Sequence, residues 1–135
     1  MVKRRRGARS ARPRSRHRPF EALVASALDS IPEPFATALD EVAVVIADEP
    51  SPDQRRENDI AGDETLYGLY EGVPRTEWGA DWAALPNRIT LFRLPLEEDF
   101  ADPDDLADEV WITVVHELAH HLGIDDDRLH ELGID

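Results

Sequence analysis

Thr113-Val114-Val115-His116-Glu117-Leu118-Ala119-His120-His121-Leu122-Gly123-Ile124-Asp125-Asp126 decides the reading of this 135-residue chain. A helix turns 100° per residue, so His116 and His120 stand about 40° apart, one turn above the other. Both imidazoles can therefore reach one metal ion. Glu117 lies about 100° round from His116, beside such an ion rather than on it, where a carboxylate can take a proton from water. Two histidines leave a hydrolytic metal site unfinished, since such sites usually hold three protein ligands and one open position. Gly123 and Asp126 extend the pattern to HExxHxxGxxD, and a glycine turn would fold Asp126 back toward the two rings.

The helix carrying this pattern has clear ends. Asp102 suits the N-cap and Pro103 the first helical position, while Asp104, Asp105 and Asp108 complement the positive end of the helix dipole. Gly123 supplies a left-handed residue after Leu122, and a short helix from Asp127 to Leu132 is expected to end at Gly133. Composition alone would produce HExxH in about 2% of such chains and the extended pattern in about one in ten thousand. The bland alternative stays open at this level: histidines on a surface or in a core, with Asp125, Asp126 and Asp127 merely capping the last helix. A calcium loop is excluded, because the D-x-D-x-D-G spacing and the twelfth-position glutamate are missing.

Working outward, Phe20, Leu23, Val24, Ala27 and Leu28 recur at helical spacing and predict a first amphipathic helix, stopped by Pro32 and Pro34. A turn of helix is expected at Phe35–Leu39. Val42–Ala47 is β-branched and uncharged, and is expected to be a buried strand. Asp48 to Asp63 is read as loop, and Thr65–Tyr70 and Arg88–Arg93 as further strands, joined by a loop containing Gly72, Pro74, Gly79 and Pro86. The predicted order is helix, strand, strand, strand, long helix, short helix, with no internal repeat.

Charge is split along the chain. Nine of the 15 basic residues fall in the first eighteen positions, where there is no acid, leaving six basic against 29 acidic residues, a net of −23, from Pro19 onward. Residues 1–18 are expected to form a disordered Arg-rich arm and 19–135 a single domain. The acidic domain disfavours nucleic acid, and only weak, non-specific electrostatic contact through the arm is expected. With no cysteine, disulfides and thiolate metal sites are excluded. No apolar run is long enough to span a membrane, and Glu21 and Asp29 interrupt the segment that an export signal would need to be apolar. The expected location is the cytoplasm, and the expected state a monomer.

The chain resembles the small bacterial zincin-like metallopeptidases, the minimal zincins with a metzincin-type HExxHxxGxxH/D motif. Besides the motif, the resemblance is carried by Pro32-Glu33-Pro34-Phe35, the Val42 strand, Tyr70-Glu71-Gly72-Val73-Pro74, Leu85-Pro86-Asn87-Arg88-Ile89 and Leu129. It implies an α+β zincin-like fold in which a small mixed sheet packs on the active-site helix. It also implies His116, His120 and Asp126 as ligands of one zinc ion, Glu117 as catalytic base, and peptide or protein substrates. Nine residues follow Asp126 and the sole methionine is Met1, so the methionine turn of larger metzincins is expected to be absent. An aspartate ligand makes bound water a weaker acid than three imidazoles would, which leaves room for another divalent metal.

The remaining candidates play supporting parts. Thr113 and Glu109 share the face of His116; Thr113 is placed to support a ligand, and Glu109 is expected to face solvent. His121 points about 100° from His120 and is expected to pack or to support the site. Gly123 turns the chain, His130 is expected to face solvent, and Trp78, Trp82 and Trp111 are expected to pack. Tyr70 and Gly72 close a strand read as a sheet edge, where an extended peptide would add. The leading expectation is a metal-dependent peptidase, with a preference for cationic peptides set by the acidic domain. A non-catalytic zincin-fold module acting through the basic arm is the alternative.

Overall fold

A computed structural model describes residues 2–5, 17–62, 64–72 and 87–133. Its elements are β1 (Val2–Arg5), α1 (His17–Asp29), α2 (Phe35–Leu39), β2 (Ala43–Ala47), α3 (Pro52–Glu57), β3 (Glu64–Glu71), β4 (Arg88–Phe92), α4 (Arg93–Asp99), α5 (Pro103–Leu122) and α6 (Asp126–Glu131). The α+β class holds, with a mixed sheet in the order β1-β3-β4-β2. β2 runs parallel to β4, and β3 antiparallel to both β4 and β1. Trp78, Trp82 and the loop around Pro74 and Gly79 lie outside the described residues.

One face of the sheet meets the helices. Phe20, Val24 and Ala27 of α1, Phe35 and Ala38 of α2, and Val110, Val114, Val115 and Leu118 of α5 form the main core with Tyr67, Ile89 and Leu91 from the sheet. The three-and-four spacing read in α1 is the spacing of its buried side chains, and Trp111 packs at the rim of the same core. Leu66, Leu69 and Phe92 form a smaller cluster, with Ala47 and Ile60 packed against it. Among the described residues, no helix is long and apolar enough to cross a membrane.

α5 begins and ends where its sequence signals lie. The Asp102 side chain accepts from the Asp104 and Asp105 amides, and Gly123 closes the helix at φ 78°. The Gly123 and Ile124 amides donate to the His120 and Ala119 carbonyls, which satisfies the last turn and swings the chain back toward the helix.

Several expectations need correction. β2 is not buried: it is an edge strand, with Val45 39% and Ile46 36% exposed. Its β-branched residues encode extended backbone, but they do not encode how many neighbours the strand acquires. The stretch read as loop contains α3, with Ser51 and Gln54 forming a reciprocal capping box. The last expected strand stops at Phe92, and α4 starts at once because buried Arg93 is held by Asp48 at 2.9 Å and by Glu97 at 2.7 Å. Glu109 is only 5% exposed rather than facing solvent; it shares the face of Thr113, whose methyl lies against Gly68 of β3.

Most of the expected arm, residues 6–16, lies outside the described residues. Val2–Arg5 pairs with β3, and α1 starts at His17, inside the segment assigned to disorder. The outer edge of β3 offers backbone donors and acceptors to any extended segment, and that gain offsets the ordering cost of four residues.

Candidate metal centre

Two elements converge on one point. α5 presents His116 and His120 one turn apart with ring centroids 5.1 Å from each other, and the Gly123 turn returns the chain so that Asp126, the first residue of α6, faces them. Asp126 Oδ1 lies 3.0 Å from His116 Nε2 and 3.7 Å from His120 Nε2. One donor atom from each of the three residues falls within 4.8 Å of the others. Donors at the usual zinc distances stand about 3.4 Å apart at the corners of a tetrahedron, so this spacing fits a single small divalent ion. Two imidazoles and one carboxylate also have the donor chemistry such an ion takes.

The three neighbouring aspartates divide the work. Asp125 caps α6, accepting from the Arg128 amide at 2.9 Å, while Asp126 is turned to the histidines. Asp127 is exposed on the first turn of α6. Capping and facing the rings are thus separate jobs done by adjacent residues.

Glu117 is fully buried, and its Oε1 lies 3.5 Å from His120 Nδ1. The backbone N–H of Tyr70, at the end of β3, donates to the same oxygen at 3.0 Å. A buried carboxylate needs such a donor to offset its desolvation. Burial holds the His116 imidazole below its usual value, outweighing the opposing pull of the Glu117 charge. A neutral ring is the form that can ligate.

His121 points to the other side of the helix. It is fully buried; its Nδ1 shares a hydrogen bond with the Tyr70 hydroxyl at 3.0 Å and its Nε2 one with Glu41 at 2.9 Å. The Tyr70 hydroxyl also meets Asn87 Oδ1 at 3.3 Å. Tyr70 therefore touches Glu117 through its backbone and His121 through its side chain. Thr113 is buried, but its methyl packs toward Gly68, and its hydroxyl has no hydrogen-bond partner among the described residues. His130 is exposed.

Sequence reasoning reached His116, Glu117, His120 and Asp126, and it missed Glu41 and Asn87. Glu41 lies 80 positions from its partner, a separation at which local spacing carries no signal. The double role of Tyr70 left no such signal either, and the strand it closes, read as a sheet edge, is flanked by β1 as far as Gly68.

The model of the zincin-like metallopeptidase family matches residues 39–134. The chain belongs to this family. The zincin-like fold follows from that membership, and the family together with the His–His–Asp group points to a divalent metal. Among solved structures, the zincin-like chain is similar to a conserved hypothetical protein from Thermo thermophilus. The two are 28% identical with a TM-score of 0.54, over 89% of this chain and 100% of that one. No curated protein matches.

Proposed function

We propose that this zincin-like domain is a zinc-dependent peptidase acting on extended, basic peptides, with His116, His120 and Asp126 as metal ligands and Glu117 as general base. The observation that carries the reading is the placement of Glu117. A carboxylate with no solvent exposure is aimed, through a backbone hydrogen bond, at the side of a His–His–Asp cluster. A purely structural helix has no reason to bury a charge beside two imidazoles and a third donor.

A bound divalent ion supplies polarisation of the scissile carbonyl and acidification of a water. The chain's own residues do the rest. Glu117 accepts the water proton as the water oxygen bonds to the carbonyl carbon, then delivers that proton to the nitrogen as the C–N bond breaks. The Tyr70 N–H fixes Oε1, so the carboxylate keeps one orientation through both transfers. Burial keeps His116 neutral and available. The net charge of −23 beyond position 18 favours cationic substrates at low ionic strength.

The test is metal content and hydrolysis on one preparation. Full-length chain purified without chelator is expected to carry about one equivalent of zinc or another divalent ion, lost in His116→Ala. It is also expected to cleave members of a basic peptide library, and Glu117→Gln is expected to keep the metal and lose the cleavage. Absence of metal after zinc is supplied overturns the reading.

A further inference from the structure

β3 runs toward the metal centre, with Tyr70 near its inner end. Tyr70 is opposite Ile89 of β4, yet its N–H donates to Glu117. Backbone groups of one strand residue point to the same side, so this N–H faces away from β4, toward the edge where β1 lies. Glu117 therefore sits on the line that β1 would follow if it were longer. Among the described residues β1 pairs from Val2, opposite Gly68 and two residues before Tyr70, and then leads away from Glu117, with Arg5 opposite Glu64. Two strand residues span about 7 Å, so Val2 lies just beyond Glu117's reach, on the side toward which β1 runs.

We infer that Val2–Arg5 is a self-docked occupant of the outer edge of β3, the rail along which an extended basic peptide would add, and that it competes with such a peptide from the place where the leaving fragment of a substrate would lie. The inference deepens the peptidase reading and rests on it for the word substrate; occupancy of the edge stands without it.

Three observations support it. The pairing is antiparallel and begins beside the carboxylate proposed as base. The occupant carries Lys3, Arg4 and Arg5 in a chain whose remainder is strongly acidic, and its last residue is in register with an acid. Its four residues make a short edge strand, weak enough to be displaced by a longer peptide of the same chemistry. The orientation also sets a preference: basic residues belong on the C-terminal side of the bond cut.

The test uses the full chain and a Lys3→Pro, Arg4→Pro double variant, since adjacent prolines remove a pairing N–H whichever of the two faces β3. The probe is a synthetic peptide with the sequence of residues 2–7, labelled at its C-terminus, followed by fluorescence polarisation. The variant is expected to bind it at least tenfold more tightly than the unsubstituted chain. Binding should weaken with salt and be absent for a counterpart with glutamate at each basic position. Amide exchange along Glu64–Gly68 is expected to speed up in the variant and to slow again with the peptide. Equal binding by the two proteins, no binding by either, equal binding of the acidic counterpart, or unchanged exchange overturns the inference. Metal content and hydrolysis on the same samples keep the two readings apart. Peptide competition without metal or cleavage fells the peptidase and leaves the rail, whereas cleavage without competition fells the rail alone.

Discussion

The backbone N–H of Tyr70 donates to Glu117 Oε1 at 3.0 Å, joining the end of β3 to a fully buried carboxylate on α5. Glu117→Gln keeps an acceptor for that N–H and removes only the charge. Cleavage of a basic peptide is expected to fall about 10²–10⁴-fold, with metal content unchanged. Elemental analysis beside the rate assay checks both halves.

Asp125 and Asp126 are neighbours with separate partners, the Arg128 amide and the His116 ring. Asp125→Ala is expected to cost about 1 kcal/mol of stability through the lost cap and to leave metal binding intact. Asp126→Ala is expected to do the reverse, weakening zinc binding with little change in apo-protein stability, since its side chain is 73% exposed. Denaturant titration of the apo proteins and zinc titration of the folded ones separate the two effects.

Gly68 lies under α5. A Cβ there would meet Thr113 Cγ2 at 2.5 Å, so β3 and α5 can touch only because this residue has no side chain. Gly68→Ala is expected to destabilise by about 1–3 kcal/mol. Thr113→Ser removes the obstructing methyl, and the double variant is expected to recover most of the loss in a double-mutant cycle.

Tyr70→Phe strips one partner from buried His121 while sparing the backbone bond to Glu117. A stability loss of about 1–3 kcal/mol is expected, because a buried polar nitrogen loses its partner. The Glu117 contact comes from the main chain, so metal content should hold. Chemical denaturation together with metal analysis tests this.

Burial lowers the His116 pKa from 6.5, which fixes the sign of a pH effect. The unfolded chain takes up the proton first as pH falls, so this contribution to apo-protein stability is complete above the unfolded value and is lost below it, down to the folded value. The melting temperature of metal-free protein is expected to fall more steeply between about pH 7 and pH 5 than that of His116→Gln.

Local rules carried the reading of α5 a long way. Asp102, Pro103 and Gly123 mark its ends, and fixed helical geometry places His116 beside His120 and Glu117 to one side. They carried α1 as well, because its apolar period is its buried face. They stopped at neighbours. The β-branched run of β2 specified a strand and not its place at an edge, and Glu109, which the spacing left as a surface acid, is buried by tertiary packing of α5.

By itself, then, the sequence determined the two long helices, three strand segments, the turn at Gly123 and the grouping of His116, His120 and Asp126, all of which depend on contacts within about one or two helical turns. Tertiary structure alone decided which backbone amide holds Glu117, that His121 joins Tyr70 to Glu41, and that Val2–Arg5 lies along the edge of β3. Those relations join residues 47 to 80 positions apart in the hydrogen-bonded cases. Their energy is realised only when the sheet and α5 pack and exclude water, which no local pattern in the chain encodes.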